Sequence, residues 1–282
     1  MAIQLLNGLV SGALLLSTSV GLALMFGLRG VINFAHGALY AMGAYLGYSV
    51  AQQSNYWFAL VAAPLLAAAI GAALDLFVLR PLDHRPRITL VLLTFGIALI
   101  LTDVFRMVWG TNQLLLEAPS ILAGTVDVLG STYPVYRLFI IAAGLLTGLA
   151  LLALLRRTTL GLRIRTASAA PDIAAIHGVN VSAVQTFVVA LAVGLAGLAG
   201  VLAAPLFTVT PDMGATVLVE SFIIIVVGGL ASISGAMGAA MLIGVVTVSA
   251  NAYLGAYATL APYVLVAIIL MARPHGLAGE PS

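Results

Sequence analysis

The chain has 282 residues, of which 62% are hydrophobic and only 7% charged, with a formal net charge of +2. A soluble globular chain carries about 25% charged residues, so the composition points to a polytopic membrane protein, and the small net charge gives no reason to expect a nucleic-acid partner. All eleven basic residues are arginine and there is no cysteine, which excludes a P-loop lysine, Schiff-base chemistry, disulfides, thiolate nucleophiles and cysteine-ligated metals.

A helix needs about 20 residues to cross the hydrocarbon core. The first charge-poor run of that size, 4–28, has no basic n-region and is longer than a signal-peptide core, so it reads as a retained span. Next comes Gly30–Gly47, "GVINFAHGALYAMGAYLG". On a helix over 33–52 it places Asn33, His36, Gly37, Tyr40, Gly43, Ala44 and Gly47 along one stripe. Small residues let helices approach closely in lipid. Asn33 and His36 need partners, because an unpaired polar group in hydrocarbon costs several kcal/mol. Two readings stay open: the stripe is a packed helix interface, or Asn33, His36 and Tyr40 stand beside a translocation path.

Spans over 58–79 and 88–108 follow, joined by "RPLDHRPR" with Arg80, Arg85 and Arg87. Asp75 is expected to pair with an arginine of that loop, and Asp103 with Arg106 three residues further on. The segment 109–136 contains Glu117, Asp127, Pro119 and Pro134 but no basic residue, so it is expected to be irregular and to face outward. After a span over 137–155, Arg156, Arg157, Arg163 and Arg165 cluster in "RRTTLGLRIR".

The segment Gly161–Val181 reads "GLRIRTASAAPDIAAIHGVNV". Pro171 suits a first helical position, Asp172 complements the positive helix end, and Gly178 suits a left-handed cap. The prediction is a helix of about two turns with a smooth face of alanines, too short to stand without a surface beneath it. Either it docks in a partner's groove or it is an ordinary connection lying on the membrane.

Runs at 183–205, 217–234, 236–254 and 257–272 complete up to nine spans. The breaks after the first and seventh are short enough to be re-entrant turns, so eight to ten crossings are compatible with the pattern. The later break contains Gly228, Gly229, Ser232 and Ser234. One interrupted apolar segment in each half is a pointer to an internal repeat and a midplane site. Asp212 and Glu220 read as interfacial residues near the outer face, and the final "GLAGEPS" as a short polar tail. Arginine placement puts 80–87, 156–165 and 273 in the cytoplasm and 109–136 outside, with the N-terminus also outside if all nine spans are real. No loop is long enough for a second domain. The expected architecture is therefore one all-α transmembrane domain over residues 1–282. His84, His177 and His275 lack metal-ligand spacing, and Ser11, Ser17, Ser19, Ser232 and Ser234 lack a nearby base. No metal, cofactor or catalytic residue is expected.

Four stretches, "GLRGVINFAHGALYAMGAY", "GLRIRTASAAPDIAAIHGVNV", "VVGGLASISGAMGA" and "RPHGL", resemble the permease subunits of high-affinity branched-chain amino-acid ABC importers, of the LivH type. The resemblance implies that 156–182 is a cytoplasmic coupling loop whose helix, with Pro171, Asp172, Ala174, Ala175 and Gly178, inserts into a cleft on an ATPase subunit. Where the family usually carries an acidic residue, this chain has Ala169 or Ala170. The implied partners are a second homologous permease subunit, two cytoplasmic ATPase subunits and an extracytoplasmic solute-binding protein that would dock on 109–136. The implied setting is the lipid of a bacterial inner membrane. The implied function is translocation of a small polar solute, a branched-chain or related amino acid, by alternating access with ATP hydrolysed on other chains. Asn33, His36, Gly37, Tyr40, Gly43, Gly47, Gly228, Gly229, Ser232 and Ser234 are the candidates for the path or the helix interface. Urea, amides and aromatic acids are alternative solutes. A stand-alone secondary carrier is a different alternative, with Asp103 as its best coupling carboxylate. An intramembrane enzyme is disfavoured by the missing nucleophile-and-base pair.

Overall fold

A computed structural model describes residues 2–128 and 130–278; the end of the polar tail, 279–282, lies outside the described residues. The described residues form helices α1 (Ala2–Arg29), α2 (His36–Gln53), α3 (Tyr56–Leu74), α4 (Arg87–Trp109), α5 (Val135–Arg157), α6 (Thr159–Ala169), α7 (Pro171–Ile176), α8 (Val181–Ala203), α9 (Met213–Gly228), α10 (Ile233–Tyr253) and α11 (Ala261–Ala272). A two-stranded antiparallel hairpin, β1 (Thr125–Val128) and β2 (Ser131–Pro134), pairs Thr125 with Pro134 and Val128 with Ser131.

Several helix starts are written in the sequence. Asn55, Thr158, Asn180 and Ser232 each accept a hydrogen bond from the backbone N–H three residues on, at 2.9 to 3.1 Å. Such caps contribute about 1 kcal/mol each by satisfying an otherwise orphaned donor.

Among the described residues, seven helical segments are long and apolar enough to cross a membrane: Ala2–Arg29, Tyr56–Leu82, Arg87–Trp109, Val135–Arg157, Val181–Ala203, Ile233–Tyr253 and Gly255–Ala272. The chain is a multi-pass membrane protein of helical-bundle architecture. The other two expected spans behave differently. The helix expected over 33–52 begins only at His36, after a non-helical break, and the one expected over 217–234 runs Met213–Gly228 and is too short to qualify.

α1 and α8 are the most deeply buried long helices. Large apolar side chains of the flanking helices, among them Leu65, Leu92, Ile100, Leu146 and Met271, point outward. That is the surface a bilayer covers at no hydrophobic cost.

The pairing is reciprocal. α1 packs on α10 and α8 on α3; α2 pairs with α8 and α9 with α1; α1 also meets α8, and α2 meets α9. The unit α1–α2–α3 and the unit α8–α9–α10 therefore embrace as two related halves. Thr186, early in α8, reaches Asp75 and through it Arg29 at the end of α1, so α1 and α8 run in opposite directions. The break that matches 30–35 is thus 204–212, between α8 and α9. The Gly228–Ser232 break singled out in the sequence matches the α2–α3 turn instead.

Glycine sets the closeness of this core. A Cβ added to Gly43 would lie 2.3 Å from the Gly197 Cα, and one on Gly37 would lie 2.1 Å from the Gly214 carbonyl oxygen. Gly43→Ala is expected to destabilise the bundle by about 1–3 kcal/mol through overpacking. Gly96→Ala, on a helix face with nothing within 4 Å of the added carbon, serves as control. Thermal unfolding of the detergent-purified chain reads both, and equal midpoints would contradict this packing.

Candidate functional site

All the arginines except Arg106 and Arg137 gather at one end of the bundle, and the four singled-out stretches meet there. α1 ends in Arg29, and Gly30 takes the left-handed φ of 62° that turns the chain back. Arg29 is buried and donates to both Asp75, fully buried, and Asp83, whose side chain is 34% exposed. The expected partner of Asp75 was an arginine of the 80–87 loop. The observed partner is Arg29, because a local turn of π-helix over Asp75–Leu79 leaves Asp75 on the inner face towards α1. The second Asp75 oxygen accepts from the Thr186 hydroxyl at 2.6 Å.

The helix pair α6–α7 attaches beside this cluster. The Ser168 hydroxyl donates to the Gly27 carbonyl. α7 starts at Pro171 as the sequence reads, and Gly178 beyond its end has φ 79°. Its faces are not as expected. Ala174 is buried; Ala175 is exposed, and the outward apolar groups are Ile173 and Ile176, 59% and 82% exposed. α6 itself was not foreseen, although Thr158 caps it.

The later break lies alongside. Gly27 would meet Ala231 at 3.3 Å if given a Cβ, and Gly235 packs so tightly on the Gly228 carbonyl that a Cβ there would overlap it. Gly229 has φ 103°. Ser232 caps α10, and Ser234 is exposed 3.5 Å from it. The "RPHGL" tail closes the break: Leu277 N–H donates to the Val227 carbonyl at 2.8 Å and Ala278 N–H to that of Gly228 at 3.2 Å. These are carbonyls that the end of α9 leaves free.

The Gly30–Gly47 stretch divides. Asn33 is not on a helix. It lies in the break, accepting from Ala35 N–H at 3.0 Å, while Phe34 N–H donates to Thr94 of α4 at 3.2 Å. His36 is fully buried at the start of α2, where its Nε2 donates to the Thr18 carbonyl at 3.0 Å. Gly37, Gly43 and Gly47 are points of close contact with α9 and α8. Tyr40 alone of the stripe's polar residues reaches a large cavity.

That cavity, about 570 Å³, lies between α1, α2, α9 and α10 and opens towards the end away from the arginine cluster. Its polar lining includes Asn7, Thr18, Tyr40, Arg137, Glu220 and Asn251. A neighbouring cavity of about 470 Å³, reaching α11, shares Thr216, Glu220, Thr247 and Asn251 with it. Glu220 sits mid-way along α9 between the two, so its expected interfacial place is corrected: α9 starts at Met213, seven residues before it. Thr216 with Glu220, and Thr247 with Asn251, are pairs four apart that bring polar groups onto facing stripes of two helices. That spacing is the signal in the sequence that marks these residues.

At the cavity's mouth Arg137 and Tyr133 both donate to the Asn7 side-chain oxygen, at 2.6 and 3.0 Å. Burial raises the Tyr133 phenol above its ordinary range, and the adjacent Arg137 charge offsets part of the rise. Asp103 pairs with Arg106 at 3.1 Å as expected, and Asp212 joins them at 2.8 Å. The segment 109–136 is more ordered than expected. It contains the hairpin, and Leu114 exchanges two backbone hydrogen bonds with Val209 in the 204–212 break. Glu117 and Asp127 are exposed upon it.

Comparison with known proteins adds a second line of evidence. A family model described as branched-chain amino acid transport system / permease component matches residues 4–273. The high-affinity branched-chain amino acid transport system permease protein LivH of Salmonella typhimurium is 24% identical, over 99% of this chain and 96% of the relative. The protein of the same name from Escherichia coli gives the same figures. The permease protein BraD of Pseudomonas aeruginosa is 25% identical over the same shares. No solved structure matches.

Proposed function

The chain belongs to the family of branched-chain amino acid transport permease components, and from that premise we propose that it is the membrane-spanning subunit of an ABC importer. The whole chain acts as one permease domain in a bacterial inner membrane. It makes nine traverses, counting α2 and α9 as partial ones that start from breaks inside the bundle. The arginine-rich end is cytoplasmic by the positive-inside tendency. The N-terminus and the 109–136 segment lie outside, where the segment receives a solute-binding protein. A second homologous permease subunit completes the path, and two ATPase subunits supply the energy. The solute is a branched-chain or related amino acid.

The observation that carries this reading is the α6–α7 pair. It stands outside the spans at the arginine-rich end, bonded to the foot of α1 through Ser168, and presents Ile173 and Ile176 to solvent. A helix of six residues held by its neighbours, with two large apolar groups outward, fits a cleft on another protein. Pro171, Asp172, Ala174, Ala175 and Gly178 set its start, its buried side and its end. Motion delivered there would pass through Gly27 to the Arg29–Asp75 cluster, and so to α1, α3 and α8 together. Alternating access follows if those helices have two packings, one favoured by nucleotide-bound ATPases.

Reconstitution in liposomes tests the reading. The full set of permeases, ATPases and binding protein is expected to take up radiolabelled leucine on addition of ATP. Omission of this chain, or of the ATPases alone, is expected to remove the uptake. ATP-driven uptake that survives without this chain would sink the proposal. A second reading, an ion-coupled carrier working alone, gains support from Glu220, a membrane-depth carboxylate with no ion pair among the described residues. It replaces Asp103 as that reading's best candidate, since Asp103 is paired with Arg106.

A further inference from the structure

Among the described residues, Asp75 and Asp83 are paired with Arg29, and Asp103 and Asp212 with Arg106. Glu117, Asp127 and Asp172 are exposed on segments outside the long helices or at their ends. Glu220 differs from all of these. It is only partly accessible, lies in the middle of α9, and has neither a salt bridge nor a hydrogen bond to another described residue. A carboxylate at that depth without a partner is costly, and such groups mark solute or ion pathways.

The surroundings narrow what Glu220 receives. Thr216, Thr247 and Asn251 share its two cavities. Their neutral oxygens, with one carboxylate, suit an ammonium group that donates three hydrogen bonds. A divalent cation would call for more carboxylates than one. Nearer the mouth of the larger cavity stands Arg137, whose guanidinium spends one donor on Asn7 and has others to offer a carboxylate. The same cavity also has an apolar wall, with Val10, Leu14, Leu206 and Val217. The volume, about 570 Å³, is in the range of small-molecule sites.

We propose that this cavity is a zwitterion-binding site in which Glu220 takes the ammonium of an amino acid, Arg137 its carboxylate, and the aliphatic wall its side chain. The assignment deepens the importer reading and rests on it for the identity of the solute; the charge arrangement itself stands on the cavity. Discrimination would follow from both ends, since a solute lacking either charge leaves one buried ion uncompensated.

The test follows the thermal unfolding midpoint of the detergent-purified chain with leucine, 3-methylbutylamine, 3-methylbutanoate or sodium chloride added. Leucine is expected to raise the midpoint, and Glu220→Gln to weaken its apparent affinity about tenfold, the value of one charge-assisted bond. The response to the amine is expected to be lost in Glu220→Gln and kept in Arg137→Gln, and the response to the acid to show the opposite pattern. A midpoint that leucine does not move, a response to the amine that survives Glu220→Gln, or sodium ions acting in place of leucine would each overturn the assignment. In uptake measurements Glu220→Gln is expected to lose leucine transport about tenfold or more, with partial rescue in Glu220→Asp. Leucine binding that depends on Glu220, without any leucine uptake by the unmodified protein in its full assembly, would sink the importer reading alone. Normal uptake by Glu220→Gln would sink the site alone.

Discussion

Replacing Ile173 and Ile176 together by aspartate is expected to abolish ATP-driven uptake while leaving the chain inserted and folded. Both side chains are exposed on α7, so nothing in the chain's own core depends on them. Surface substitutions of this kind usually change stability by no more than about 0.5 kcal/mol. If α7 sits in a cleft on an ATPase, the same positions become the buried centre of an interface. A charge forced into an apolar pocket without a partner costs several kcal/mol, and anchors of this sort carry about 2 kcal/mol or more each. Two of them are enough to reduce the bound fraction by roughly a thousandfold at fixed concentration. Deletion of Pro171–Gly178 is the harsher form of the same experiment. Quantitative blotting of membranes, co-purification of the ATPases and uptake of leucine read the three consequences separately. Uptake at the normal rate by either variant would show that force does not enter through this helix.

The second large effect is expected at Asp75. Its carboxylate is fully buried and binds Arg29, itself nearly buried, together with the Thr186 hydroxyl. Asp75→Ala leaves the guanidinium in the bundle with only the one-third-exposed Asp83 to balance it. Breaking a buried pair from one side costs about 3–5 kcal/mol, and Asp83 places this case at the lower end. Asp83→Ala, by contrast, is expected to cost under about 1 kcal/mol, because its side chain is partly solvated. Removing the whole charge pair with Arg29→Leu and Asp75→Leu is expected to cost less than Asp75→Ala alone, since no uncompensated ion remains. Unfolding of the purified chain in detergent, followed by helicity against temperature, orders the three variants. A cost for the double replacement equal to or above that of Asp75→Ala would remove the argument that charge compensation holds this end together.

Much of the architecture was legible because lipid simplifies the code. Length and the absence of charge mark the long helices at 2–29, 87–109, 135–157, 181–203 and 233–253 within a few residues, and arginine marks one end. The short helix at Pro171 was legible because proline, an acidic residue and a glycine in order name its start and stop. What periodicity could not deliver was depth. Asn33 and His36 are three apart and read as one helical face, yet the helix starts between them, because Asn33 bonds Ala35 N–H and holds the break open. Asp75 lies five residues before Arg80, the first of three arginines in the next loop, but a π-turn sends it across the bundle to Arg29. The small-residue stripe was read as a single feature. In the structure its glycines serve helix contacts and Tyr40 faces a cavity, a division that depends on which neighbour each position meets.

Glu220 was missed for a related reason. Taken alone it is an acidic residue near a span boundary drawn at 217, and an interfacial place accounts for it. Only when α9 begins at Met213 and α10 brings Thr247 and Asn251 opposite does it become a membrane-depth carboxylate facing polar partners. The reciprocal packing of the two halves was likewise hidden. The sequence pointed to Gly228–Ser232 as the counterpart of the first break, because glycine and serine are concentrated there. The true counterpart, 204–212, carries two prolines and no glycine. In sequence it looks like the end of one span and the approach to the next.

As one subunit of an importer, this polypeptide is expected to move solute only when other chains drive it. The purified subunit alone, in sealed liposomes, answers that directly. Nucleotide hydrolysis and leucine accumulation are measured with ATP present, and accumulation again under an imposed proton or sodium gradient. The account predicts no hydrolysis above empty liposomes and no accumulation under any gradient. Hydrolysis by the lone chain, or accumulation that collapses when the gradient is dissipated, would contradict it.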